Sequence, residues 1–312
     1  MEAHVPEVLV LRALKLGDLL VAVPALKALR RAFPDHRITY AAQSWLAPVV
    51  ELVGGIGLLE THGLDEPIAR RPGDVDVAVN LHGNGAESRA RIEALDARRL
   101  IAYGAVDRPG PAWDASEHER VRWCRLLQWH GIAADPTDLS LRRPPQPTVH
   151  PGTAIVHPGA AYASRHWPVE RFAAVVRELG GAGHEVRLTG SAAERERALA
   201  VARAAGLDTS HVLAGRLPLG DFAALVADAC CVVSADTGAA HLASAYGVPS
   251  VVLFGPAPPE SWGPPEGPHR VLTRAELRVG DTFATTPDPA LLAVTTDDVL
   301  EALSGLGLLA RA

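Results

Sequence analysis

The chain has 312 residues, 48% of them apolar and 21% charged, a globular composition long enough for two domains of ordinary size. Its formal net charge of −6 argues against a dedicated nucleic-acid binder, and no run approaches the ~20 apolar residues of a membrane span. Three cysteines, two adjacent at Cys230 and Cys231, form neither a disulfide framework nor a zinc site and read as small buried apolar residues.

The first residues show no basic stretch ahead of an apolar core, so they do not read as a signal peptide, and a reducing, cytoplasmic setting is expected. In the first half, strand-like runs fall at "EVLVLR", "RITYAA" and "VDVAVN". A segment of helical apolar spacing, with Val23, Leu26 and Leu29 on one face, follows the first of them. Between them lies "LKLGDLLVAVP", in which Gly17 permits a tight turn and Asp18 falls at or near the start of the helix. Two readings of Asp18 stand side by side. It caps the helix by accepting an orphan N–H, or it is a general base at the carboxyl end of a strand. The stretch "NLHGNGAESRARIEAL" sets Asn80, His82 and Asn84 at another polar strand end, facing a ligand or forming an ordinary loop.

The proline-rich "LRRPPQPTVHPG", 141–152, can neither continue a helix nor join a ladder and reads as a linker. It divides the chain into domains over 1–145 and 152–312. Beyond it the alternation restarts with "TAIVHP", "EVRLTG", "CCVVSA" and "SVVLFG", and strands alternating with helices indicate βαβ units and parallel sheets. In "VHPGAAYASRHWPVERF" a strand ends at His157, Pro158 and Gly159 turn the backbone, and Arg165 and His166 precede a helix opened by Pro168. This is a plain loop with Trp167 in the core, or a place to hold phosphate. In "LTGSAAERERA", Glu194 and Glu196 fall in a first helical turn, complementing the helix end or accepting from ribose hydroxyls.

The sharpest segment is "VVSADTGAAHLASAYGVPSVVLFGP". A buried strand delivers Asp236, Thr237 and Gly238 to a helix start, where the N–H groups of Thr237, Gly238 and Ala239 suit an anion and His241 lies one turn in. Aspartic proteases also carry Asp-Thr-Gly, but they are β-rich and need two copies, so that reading fails. The "DVD" at Asp74 to Asp76 looks like a loop entry, so no metal site is expected. No G-x-G-x-x-G follows the first strand, which disfavours a nicotinamide oxidoreductase.

Together these segments resemble glycosyltransferase family 9, the ADP-heptose:lipopolysaccharide heptosyltransferases. The resemblance rests on Arg12, Gly17, Asp18 and Pro24, then on "HPGA", "RHWPVERF", "LTGSAAERE" and "SADTGAAHLASAYGVPSVVLFGPAPPESWGP", and runs from Val8 to Gly263. It implies the α/β GT-B fold, two Rossmann-like domains whose parallel sheets face across a cleft, with acceptor bound by the N-terminal domain and nucleotide sugar by the C-terminal one. It implies inverting, metal-independent transfer of a heptose or related sugar from an ADP-linked donor to a hydroxyl of a glycan, lipopolysaccharide core or glycoside. Asp18 would be the base. Arg165, where relatives carry Lys, would stabilise the diphosphate with the Thr237–Gly238 helix end. Glu194 or Glu196 would hold the ribose, Gly159, Asp236 and His241 the rest of the donor, and Gly17, Asn80, His82 and Asn84 the acceptor. No metal, cofactor or nucleic acid is expected, and a lipid-linked acceptor would bring a peripheral membrane contact. The alternative is a non-catalytic protein of the same fold that binds nucleotide sugar or glycan. Residues Thr273 to Pro289 depart from the family pattern, and "TTDDVLEALSGLGLL" reads as a terminal helix packing back on a domain.

Overall fold

The computed structural model describes residues 5–106 and 108–310. The chain forms two compact units, Met1–Arg142 and Arg143–Ala312.

The N-terminal unit runs β1 (Glu7–Leu11), α1 (Leu16–Ala32), β2 (Arg37–Ala42), α2 (Ala47–Val53), β3 (Gly57–Glu60), β4 (Val77–Asn80), α3 (Ala86–Glu93), β5 (Arg99–Ile101) and α4 (Glu119–Trp129). Its sheet has the order β3-β2-β1-β4-β5, parallel throughout. Strands covered on both faces need no alternation, which is why "VLVL" is a continuous apolar run with no exposed residue. Helix α1 continues through Pro24, because Leu19, Leu20, Val23, Leu26 and Leu29 bury its inner face and hold it past the lost backbone bond.

The C-terminal unit runs β6 (Ala154–His157), α5 (Val169–Gly181), β7 (Val186–Leu188), α6 (Arg195–Ala205), α7 (Leu219–Ala227), β8 (Cys231–Ala235), α8 (Gly238–Tyr246), β9 (Ser250–Leu253), α9 (Pro259–Trp262), β10 (His269–Leu272), α10 (Pro289–Leu292) and α11 (Thr296–Gly305). Its sheet, β10-β9-β8-β6-β7, is again parallel. Phe172, Val176 and Leu179 of α5 pack with Val299 and Leu303 of α11 in one core. A reciprocal cap starts α11, with Thr295 Oγ1 accepting from Asp298 N–H and Asp298 Oδ2 accepting from Thr295 N–H.

Three strands have no counterpart among the predicted runs: β3, β5 and β10. Each lies at a sheet edge and is short and partly exposed, so no buried β-branched run marks it. In each sheet the strand order reverses once, between β1 and β4 and between β6 and β8. A parallel sheet binds its ligand outside the carboxyl ends of the strands at that reversal. The predicted site residues cluster at these two places.

Candidate active site

In the N-terminal unit, β1 ends at Leu11 and residues 12–15 make the turn, closed by Leu14 N–H donating to the Arg12 carbonyl at 2.9 Å. Gly17 is therefore not the turn residue expected from the sequence: it is helical, and Asp18 is the third residue of α1 rather than its cap. Asp18 still serves the helix end, since Oδ2 accepts from Lys15 N–H at 3.2 Å. Its Oδ1 lies 3.1 Å from Arg12 Nη2, and Arg12 Nε donates to the Asp18 carbonyl at 2.7 Å. The Asp18 side chain is 24% exposed while that of Arg12 is 1% exposed, so a buried cation holds a carboxylate that solvent can reach. The residue that serves the helix end thus also presents a carboxylate to solvent.

The residues after β4 divide. Asn80 is buried, with Oδ1 accepting from His82 N–H at 3.0 Å and Nδ2 donating to Ser88 Oγ at 3.2 Å, so it braces the loop instead of facing a ligand. Asn84 donates to the Gly104 carbonyl at 3.5 Å, and its own carbonyl accepts from Arg89 Nη1 at 2.5 Å. His82 Nδ1 accepts from Ala13 N–H at 3.2 Å, which places the proton of the neutral ring on Nε2. Burial pushes the His82 pKa down and Arg12 adds to this against the opposing pull of Asp18, so the ring presents a neutral donor.

In the C-terminal unit, β8 delivers Asp236 and Thr237 to the start of α8, and β6 delivers His157 beside them, its register partner being Ser234. The buried Asp236 carboxylate stands 3.5 Å from His241 Nε2 and 4.0 Å from Arg165 Nε, while Arg165 Nη1 donates to the Asp236 carbonyl at 3.5 Å. The Thr237 hydroxyl does not cap α8. Of the buried side-chain polar atoms that lack a hydrogen-bond partner among the described residues, three fall here: Arg165 Nε, Ser234 Oγ and Thr237 Oγ1. Buried polar groups are nearly always paired, so an unpaired cluster beside a helix N-terminus marks a place for a polar, anionic ligand.

Arg165 ends a short 3₁₀ turn, Ala163–Arg165, fastened through Ser164. Ser164 Oγ donates to the Thr282 carbonyl at 2.7 Å and its N–H to the Ala284 carbonyl at 3.1 Å, while its own carbonyl accepts from Asp288 N–H at 3.0 Å. The buried Asp288 carboxylate gathers the N–H groups of Val279, Gly280 and Ala290 at 3.2, 3.1 and 2.9 Å. The segment that departs from the family pattern thus holds the turn that carries Arg165.

The two glutamates separate clearly. Glu194 is the cap residue of α6 rather than part of its first turn; its Oε2 accepts from Ser191 N–H at 2.6 Å and lies 3.9 Å from His157 Nε2. A Cβ on Gly159 would come within 2.5 Å of Glu194 Cδ, so only glycine lets this carboxylate lie across the loop. Glu196 is exposed and makes no hydrogen bond or ion pair among the described residues. His157 is buried, with Nδ1 3.0 Å from Thr189 Oγ1, and burial lowers its pKa against the pull of Glu194. Trp167 is core, its indole N–H donating to the Val294 carbonyl at 2.9 Å. Arg197 Nε donates to the Pro158 carbonyl at 2.7 Å and latches the same loop.

Arg12 was signalled by a charge closing an apolar strand; the parts played by Ser234, His157 and Arg197 have no local sequence signal. Away from the site, at the other end of β8, Cys230 is half-buried rather than a plain core residue, its Sγ 3.7 Å from His184 Nδ1. Among the described residues, no group of three or more His, Cys, Asp or Glu side chains is placed to hold a metal ion.

A family model for glycosyltransferase family 9 (heptosyltransferase) matches residues 127–284. The lipopolysaccharide heptosyltransferase 1 of Pseudomonas aeruginosa is 28% identical over 314 residues, covering 90% of this chain and 85% of that protein. The lipopolysaccharide heptosyltransferase 2 of Salmonella typhimurium is 31% identical over 157 residues, 48% of this chain and 45% of that protein. Among solved structures, a family 9 glycosyl transferase of Veillonella parvula superposes with a TM-score of 0.79 at 22% identity, over 98% of each chain. The Escherichia coli heptosyltransferase WaaC with ADP does so with a TM-score of 0.72 at 18% identity, over 96% of this chain and 99% of that one. The architecture, two parallel-sheet Rossmann-like domains, is that of the GT-B heptosyltransferases. The chain belongs to glycosyltransferase family 9, the heptosyltransferases.

Proposed function

We propose that the protein transfers a heptose or related sugar from an ADP-linked donor to a hydroxyl of a glycan, lipopolysaccharide core or glycoside, with inversion and without a metal ion. The observation that carries this is the set of unpaired buried atoms, Arg165 Nε, Ser234 Oγ and Thr237 Oγ1, gathered at the N-terminus of α8. The choice of ADP and heptose leans on the relatives, which are named lipopolysaccharide heptosyltransferases, and on the WaaC structure, which is with ADP.

The chemistry follows from the residues. The Asp18 carboxylate takes the proton of the acceptor hydroxyl as that oxygen attacks the anomeric carbon, and the bond from that carbon to the diphosphate oxygen breaks. One displacement inverts the anomeric centre. The departing diphosphate gains negative charge, which the Arg165 guanidinium, the Thr237 hydroxyl and the first N–H groups of α8 receive already in place. Asp236 keeps Arg165 and His241 in register for this task. Glu194, held over Gly159, accepts from the ribose hydroxyls, and His82 offers its Nε2 proton to an acceptor oxygen near Asp18. A lipid-linked acceptor would bring the enzyme to a membrane surface, although no helix among the described residues is long and apolar enough to cross one.

The test is a melting panel with ADP-, GDP-, UDP- and dTDP-sugars, because a ligand bound by the folded state alone raises the melting temperature. ADP-heptose should give the largest shift, and transfer should persist in excess EDTA with the opposite anomeric configuration in the product. A panel in which no nucleotide sugar moves the melt overturns the reading.

A further inference from the structure

Arg12 is a buried guanidinium with two acids. Its Nη2 donates to Asp18 Oδ1 at 3.1 Å and also to Glu119 Oε2 at 3.2 Å. Its Nη1 donates to the carbonyl of Leu81, just past β4, and its Nε to the Asp18 carbonyl. The ring of Trp123 lies 4.7 Å from the guanidinium carbon. Glu119, the first residue of α4, is as firmly held: Oε2 also accepts from Trp123 Nε1 at 2.9 Å, and Oε1 pairs with Arg122. Arg122 is anchored in turn by the carbonyls of Asp114, Ala115 and Glu117 and stacks 4.5 Å from the Trp113 ring.

A buried ion pair is a poor way to gain stability, since desolvation offsets most of its attraction and apolar packing does as well. This one has another use. Each guanidinium nitrogen of Arg12 donates to the residue just past β4, to the start of α1, or to Glu119. With Glu119 gone, one of the two Nη2 hydrogens loses its acceptor and the guanidinium loses its restraint on that side, so it can shift toward Asp18 and pair with both carboxylate oxygens. With Glu119 present, Asp18 keeps Oδ1 on Arg12 and Oδ2 on Lys15 N–H, a pose that leaves the carboxylate open to solvent.

We infer that Glu119 is a positioning residue for sugar transfer, acting through Arg12 to fix the carboxylate of Asp18 in the orientation that takes the acceptor's proton. The inference rests on the reading of Asp18 as the base.

The test is a double-mutant cycle over wild type, Glu119→Gln, Asp18→Asn and the double variant, each measured for kcat, KM, donor affinity and melting temperature. Glu119→Gln should lower kcat by about 10- to 100-fold, the range for residues that orient a reacting group, with donor affinity within about twofold. In the Asp18→Asn background the same change should alter the residual rate by less than about twofold, because its effect passes through a group already removed. An unchanged kcat in Glu119→Gln overturns the inference. So does an equal loss in both backgrounds, which is what a merely structural role produces. Should Glu119→Gln fold poorly, Trp123→Phe removes one hydrogen bond to Glu119 and keeps a ring under Arg12; a smaller kcat loss with the same dependence on Asp18 is expected, and an equal loss in both backgrounds counts against it. If Asp18→Asn itself transfers at the wild-type rate, the reading of Asp18 as base has failed; if Asp18→Asn collapses while Glu119→Gln does not, only the relay has failed.

Discussion

The two half-sites are built on opposite principles. At the carboxyl ends of β1 and β4 the groups that touch Asp18 are paired with one another: Arg12 donates to two acids and two carbonyls, and Asn80 and His82 fasten the neighbouring loop, with the buried Tyr40 hydroxyl the one exception that finds no hydrogen-bond partner among the described residues. At the ends of β6 and β8 the contacts are long, 3.5 Å from Asp236 to His241 and 4.0 Å to Arg165, and three buried atoms have no hydrogen-bond partner among the described residues. A closed network suits the proton transfer proposed for Asp18, where small errors of position are costly. An open one stores unmet hydrogen-bonding capacity for a charged ligand that arrives and leaves.

The comparison can be broken most directly at Asp18. Asp18→Asn should lower kcat by about 10²- to 10⁴-fold, the usual worth of a general base, with donor affinity in a binding titration nearly unchanged. Arg165→Ala should instead act on the donor, weakening its binding by roughly 10- to 100-fold, as expected for about 1.5–3 kcal/mol from a hydrogen bond to a charged group. A smaller effect separates the glutamates: Glu194→Gln should weaken donor binding by about tenfold or less, whereas Glu196→Gln should bind as wild type. Thr237→Val sharpens the contrast further. It removes a buried hydroxyl that has no hydrogen-bond partner among the described residues, so the unliganded protein should melt no lower than wild type while donor affinity falls by about fivefold.

The smallest effect is on acid stability. The folded-state pKa of His157 is lowered by burial, with Glu194 opposing, so below the unfolded histidine value of about 6.5 the unfolded chain takes up a proton that the folded chain does not. The stability from keeping His157 neutral is therefore present above about pH 6.5 and is lost as pH falls through its lower folded value. His157→Gln should flatten part of that decline in melting temperature between about pH 6.5 and 5.

The central strands were legible because burial on both faces writes an unbroken apolar run into β1, β4, β6, β8 and β9. The edge strands β3, β5 and β10 carry no such run, so nothing local marks them. At the sites, what could be read was what lies within one strand–turn–helix: Asp18 after Arg12, and Asp236 to His241 around a helix start. The direction of Asn80 could not be read, since an asparagine at a strand end looks the same whether it faces a ligand or, as here, Ser88. Nor could Glu119, whose partner Arg12 is 107 residues away. What separates Glu194 from Glu196 in the structure is two residues of spacing and a glycine that is adjacent only once β6 and β7 have paired.

The clamp on Ser164 carries a consequence for how the enzyme comes into being. Its hydroxyl bonds a carbonyl 118 residues downstream, and Trp167 one 127 residues downstream. Contacts of such sequence separation form late, after the loops they close have lost their freedom. On the ribosome the whole parallel sheet of the C-terminal unit emerges before the residues that seat Arg165 do. A nascent chain can therefore own its sheet while the turn that carries Arg165 is still unseated, and that turn is fastened only once residues 279–290 have docked.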